Sequence, residues 1–176
     1  MPGVFAMLDG MHAMGGEFML TSGEVAEGAT VPEEQVYAGG DCHGGNVSPS
    51  LAWRHAPSGT QGYAVSMHDP DAPRPGGWWH WLVFNIPATV TSLPKDAGRP
   101  GHSPGDAVQG LNSFGSAGYG GPCPPAGHGV HRYVFTVYAL DTAQLPLTSH
   151  AEPGFADALI RRHALGQARL TAVYQR

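Results

Sequence analysis

The sequence predicts a mainly β fold in one domain, made of short strands and tight turns with a single helix near the C-terminus. Three observations carry this. The 26 glycines and 16 prolines among 176 residues punctuate the chain too often for long helices and suit tight turns. Several runs alternate at period two, the spacing of a strand with one face buried, and residues 130–140 are the clearest of them. Only residues 153–165 carry an apolar stripe at helical spacing. A hydrophobic fraction of 41% argues against disorder. A chain of this length suits one domain that buries roughly 70% of its unfolded surface.

Residues 1–17 are rich in Met and Gly and weakly patterned, and are read as a flexible leader or added sequence ahead of a domain spanning 18–176. Residues 17–21 form a first short strand, 23–31 are turn-rich, and 36–49 form a long Gly-rich loop. Residues 51–53 and 63–68 are strands, separated by a turn at Pro57-Ser-Gly59. Asp69-Pro-Asp-Ala-Pro73 cannot continue the second of these, because its two prolines remove ladder donors. The next strand, 79–86, places His80, Leu82, Phe84 and Ile86 on one face and Trp81, Val83 and Asn85 on the other, which sends Trp81 into the core. Residues 87–130 read as one long loop, a feature that in a compact domain tends to be functional. In 130–140, His131, Tyr133, Phe135 and Val137 share one face, and Arg132, Val134, Thr136 and Tyr138 the other. The helix opens at Pro153, a residue suited to the first turn. Its stripe is Phe155, Ala156, Leu159, Ile160 and Ala164. Arg161, Arg162 and His163 favour its C-terminal end, and Gly166 is its expected stop. Residues 169–174 could be a last strand.

The formal net charge is −5, with one lysine, Lys95. No basic run occurs, so nucleic acid and anionic membrane surfaces are poor partners. No stretch of about 18 apolar residues predicts a membrane span. No export signal is evident, which favours the cytoplasm, with the periplasm open if the true start differs. Cys42 and Cys123 both sit in Gly/Pro-rich loops. Free thiols in a reducing cell are the expectation, with a loop-to-loop disulfide as the alternative that spacing cannot decide.

Two segments about fifty residues apart are matched in design. Asp69-Pro-Asp-Ala-Pro73 leads to Gly76-Gly-Trp-Trp-His80, and Gly118-Tyr-Gly-Gly-Pro-Cys-Pro-Pro125 leads to Gly129-Val-His131-Arg-Tyr133. Each runs from a stiff turn into a strand that carries a histidine. In one sheet they would gather Asp69, His80, His131 and Tyr133 into a small polar pocket. A metal site is weakly supported: the carboxylate and histidines suit iron or zinc, but no local ligand pair on a helix appears. His128-Gly-Val-His131 has the spacing of half a zinc finger without its Cys-x-x-Cys partner. A Ser or Cys hydrolase lacks the Gly-x-Ser-x-Gly elbow and any base cued beside Cys123. The Gly118–Gly121 loop could offer backbone N–H groups to an anion.

These motifs, together with Asn85-Ile-Pro87 and Gly45-Asn-Val-Ser-Pro49, resemble the phosphatidylethanolamine-binding protein family, in particular its bacterial and archaeal Raf-kinase-inhibitor-like subset. The resemblance runs from about residue 18 to 174. It implies an antiparallel β-sandwich of two sheets, a C-terminal helix nearby, and a small anion pocket near the surface. It implies that Asp69, Pro73, His80, His131 and Tyr133 bind the ligand with backbone from Gly121 and Pro122, while Asp71 braces the first loop. In Asn112-Ser-Phe-Gly115 a serine stands where many relatives carry aspartate. The resulting expectation is a binding or regulatory module, not an enzyme, for small phosphorylated or carboxylated ligands and with no cofactor. A metal-assisted or acid–base hydrolase using the same cluster is the alternative, and an inhibitor of a kinase or protease a third. A protein partner such as a kinase, and a homodimer, stay open. Asp69 beside an anion implies a shared proton or a carboxylate that orients a histidine.

Overall fold

The computed structural model describes residues 16–176; most of the leader expected at 1–17 lies outside them. Among the described residues ten strands form three antiparallel sheets. The large sheet has the order β10-β9-β5-β6-β8, from Ala164–Tyr174, His131–Leu140, Gly62–Asp69, Trp78–Pro87 and Val108–Gln109. The second has the order β1-β4-β7, from Met19–Thr21, Leu51–Arg54 and Ser92–Leu93. A small hairpin joins β2 (Ala38–Gly39) to β3 (Cys42–His43). One α-helix, α1 (Pro153–Arg162), completes the domain.

The large sheet is apolar on both faces, so β5, β6 and β9 are near-continuous hydrophobic runs. One face packs against the second sheet: Val65, Met67, Trp81 and Phe135 meet Leu20, Leu51, Trp53 and Leu93. The other face, with Ala64, Leu82, Phe84 and Tyr138, takes Ala156 and Ile160 of α1. The Glu152 carboxylate caps α1 by accepting from the N–H groups of Gly154 (3.0 Å) and Phe155 (2.8 Å).

Three expectations are corrected. Ile86 does not share a face with Leu82 and Phe84. Phe84 and Asn85 together oppose Ala64, Asn85 adopts φ 57°, and this bulge turns Ile86 to the Trp81–Val83 side. The helix stops at Arg162 and β10 begins at Ala164, so Gly166 is not a helix stop. It sits at a bulge in β10, with Pro57 against the place of its missing side chain. Phe155 is 62% exposed and lies off the buried stripe. The 87–130 region holds two short strands, β7 and β8.

Cys42 and Cys123 are joined in a disulfide, contrary to the expected free thiols. It ties the β2–β3 hairpin to the 118–125 loop, segments that the alternation pattern had no means of pairing. Asn46 strengthens the junction: its Oδ1 accepts from Gly121 N at 2.8 Å and its Nδ2 donates to Tyr119 O at 3.3 Å.

Candidate ligand-binding site

The C-terminal end of β5 and the N-terminal ends of β6 and β9 meet at one end of the large sheet. There a cavity of about 390 Å³ opens, lined by Asp69, Pro73, His80, His131 and Tyr133 among others. His80 reaches it through a second bulge. Met67 pairs with Trp81 and His68 with Trp79, which leaves His80 as the extra residue. Strict alternation would send His80 to the helix side with Leu82. The bulge instead re-aims it beside Tyr133, with ring centroids 5.2 Å apart, and Trp81 still enters the core. The Trp81 Nε1–H donates to Gln109 Oε1 at 2.7 Å.

The floor of the cavity is buried and polar. His131 Nδ1 lies 2.6 Å from Asp69 Oδ2, and the other carboxylate oxygen accepts from Asp71 N at 2.8 Å. Asp71 in turn accepts from Arg132 at N (2.9 Å), Nε (3.0 Å) and Nη2 (2.8 Å). Those Arg132 side-chain bonds hold the Asp71 carboxyl down to about 2 despite partial burial. Asp71 therefore fixes the 69–73 turn to the start of β9.

His80 Nδ1 donates to Gly120 O at 2.7 Å. Burial pushes its imidazolium down to about 4, although Gly120 and Asp69 pull the other way. The ring is thus neutral near pH 7, and Nε2, its remaining nitrogen, is an acceptor. The Tyr133 hydroxyl is buried with no hydrogen-bond partner, and burial raises its pKa. An orphaned buried hydroxyl is costly, so this donor calls for an explanation.

The walls are aromatic and stiff. Tyr37 stacks on Phe114 at 4.3 Å, Trp78 meets Phe114 edge-on at 5.1 Å, and the Arg74 guanidinium lies 5.0 Å from the Trp78 ring centre. Pro124 and Pro125 continue the wall from Cys123. Asn112 places Phe114 by accepting from its N–H at 3.0 Å, and the Ser113 hydroxyl accepts from Trp79 N at 2.9 Å.

Gly121 and Pro122 stand outside the lining. The Gly121 N–H is engaged by Asn46, Pro122 has no N–H, and its carbonyl accepts from Tyr37 N at 3.0 Å. The Tyr119 and Gly120 N–H groups donate to Gly98 O and His80 O, so the Gly-rich loop offers these groups to its own fold and not to an anion. Sequence reasoning missed Tyr37, Arg74, Phe114 and His128. Only His128 carried a signal, its spacing from His131. Among the described residues no group of three or more His, Cys, Asp or Glu is arranged to hold a metal ion, and no helix is long and apolar enough to cross a membrane.

Fold and cavity define an antiparallel β-sandwich with a pocket at one end of its large sheet. The chain belongs to the phosphatidylethanolamine-binding protein family, whose model matches residues 21–175. It is 46% identical to the UPF0098 protein YbcL of Escherichia coli over 93% of this chain and 90% of that one. The YbcL crystal structure, titled a new member of the mammalian PEBP family, superposes with a TM-score of 0.89 over 92% of this chain and 99% of that one. The UPF0098 protein YbhB of E. coli is 38% identical over 88% of this chain and 98% of its own length. A putative homologue from Chlamydia trachomatis is 31% identical, with a TM-score of 0.73 over 90% of this chain and 97% of that one. The family membership makes this a binding protein of the phosphatidylethanolamine-binding type.

Proposed function

We propose that the pocket captures a small anionic group, a singly protonated phosphate above all, and that the protein acts as a binding or regulatory module and not as a catalyst. The observation that carries this reading is the buried, unpartnered Tyr133 hydroxyl beside a neutral His80. A ligand oxygen accepts from Tyr133, and the ligand's own O–H donates to His80 Nε2. A fully ionised phosphate has no proton to donate and meets the Asp69 carboxylate with like charge. Arg74 supplies the cation at the rim, and the aromatic walls accommodate an apolar substituent on the acid group.

Two features support binding over catalysis. Cys123, the one thiol among the lining residues, is engaged in the disulfide, so it offers no thiolate. Both nitrogens of His131 already have partners, so His131 is not poised as a general base. The disulfide also favours an oxidising compartment over the cytoplasm.

Isothermal titration with phosphoethanolamine and inorganic phosphate at pH 5.5 and 8 tests the reading. The expected result is tighter binding at the lower pH, because the second phosphate ionisation falls near pH 6. Tyr133→Phe should weaken both ligands by about 1 kcal/mol. Affinity that rises with pH, or that ignores Tyr133→Phe, sinks the proton-sharing pocket.

A further inference from the structure

We infer that His128 is a built-in occupant of the site, a side chain that holds His131 until an anionic ligand displaces it; this rests on the ligand-binding reading above. His131 has two ring nitrogens. Nδ1 is held by Asp69 Oδ2 at 2.6 Å, and Nε2 lies 2.6 Å from Nδ1 of His128. While that second bond stands, a ligand in the cavity finds no free nitrogen on His131, although the residue lines the wall.

The two partners of His131 differ in how firmly they are placed. Asp69 is buried at the end of β5, with its second oxygen bound by Asp71 N. His128 belongs to no strand. It sits in the exposed stretch 125–130, between Gly127 (φ 76°) and Gly129 (φ 98°). A Cβ on either glycine would meet nothing within 4 Å, so no flanking side chain obstructs the ring. Two backbone bonds hold the turn itself, from Gly127 N to Arg176 O and from His128 N to Pro125 O. Opening therefore needs only rotation of the His128 side chain, a fast motion for an exposed residue.

The exchange is chemically directed. An imidazole nitrogen is a neutral partner for His131 Nε2, whereas a phosphate or carboxylate oxygen is charged. A phosphate that arrives with one proton can hand it to His131 Nε2; the ring then donates from Nδ1 to Asp69 and from Nε2 to the ligand, two charge-assisted bonds, which are the stronger kind. The cap thus yields to anions and resists neutral molecules, which makes His128 a specificity-determining residue.

Titration of the full chain with inorganic phosphate and with phosphoethanolamine tests this. His128→Ala should tighten both by about threefold to tenfold, the equivalent of one competing hydrogen bond. Unchanged or weaker binding overturns the cap, and weaker binding would make His128 a direct ligand contact. A second arm needs no ligand. Diethyl pyrocarbonate labelling with peptide mass spectrometry should find His131 protected in the wild type and acylated in His128→Ala. Equal labelling in the two proteins also overturns the cap. Should neither protein bind phosphate compounds, the ligand reading fails and the displacement inference falls with it, whereas binding by both proteins with equal affinity overturns the cap alone. His128→Gln, which keeps the turn polar, gives the same readout if His128→Ala does not fold.

Discussion

The two halves of the pocket floor each contain a buried histidine and behave in opposite ways. On the β5–β9 side, Asp69, His131 and His128 form a chain in which each carboxylate oxygen of Asp69 and each nitrogen of His131 has a partner. In the other half, His80 of β6 has one nitrogen engaged and Tyr133 of β9 has an orphaned hydroxyl. A satisfied buried network stabilises and fixes geometry, whereas an unsatisfied group costs stability and waits for a partner. The first half is already satisfied within the fold, and the second holds the groups that the proposed ligand would engage first.

Mutation of the satisfied half should have the largest effect. Asp69→Ala leaves His131 Nδ1 and the Asp71 N–H without an acceptor in a buried site. It should destabilise the domain by about 3–5 kcal/mol in urea unfolding; a loss under about 1 kcal/mol would erase the distinction between the halves. The disulfide closes a separation of 81 residues and anchors the wall at Cys123. Replacing both cysteines by serine should cost about 3–4 kcal/mol and weaken phosphate ligands. Alkylation of the unreduced wild type should add no label to either cysteine.

Ligand affinity separates the halves more finely. His131→Ala should weaken phosphate ligands by about 1.5–3 kcal/mol, provided that His128 gives way as inferred. Tyr133→Phe should move stability the other way from Asp69→Ala. It removes an unsatisfied buried hydroxyl and should stabilise the free protein by up to about 1–3 kcal/mol while it weakens binding. A destabilised Tyr133→Phe protein would mean that the hydroxyl supports the fold.

The smallest effect is a slope with pH. His80 has its folded pKa depressed to about 4 from 6.5. As pH falls through that window the unfolded chain takes up a proton that the folded chain refuses, so stability declines. His80→Gln should remove this slope. Asp71 acts lower: its carboxyl is depressed to about 2 from 3.8. Its contribution is present above pH 3.8 and is lost as pH falls towards 2, a loss that Arg132→Gln should abolish. Denaturant midpoints across pH 2–7 check both.

Much of this molecule is legible in its residues. Alternation along 130–140 placed His131 and Tyr133 on one face, and the structure has them there because β9 runs without a bulge. The prolines after Asp69 end β5 where the site begins, and the apolar spacing of 153–165 marks α1 to within three residues of its end. These are local properties: a period of two or of 3.6, a missing N–H, a preset φ. The rest depends on groups distant in sequence. The bulge that swings His80 to Tyr133 appears only when β5 and β6 are paired in register. The union of Cys42 with Cys123, the bond of Asn46 to Gly121 and the stack of Tyr37 on Phe114 each span about 75–81 residues. No local pattern carries such contacts, because they arise from where whole segments pack. The motif by itself marked Asp69, Pro73, His80, His131 and Tyr133 of the lining; tertiary packing decided which of their polar groups are already satisfied and which have no partner.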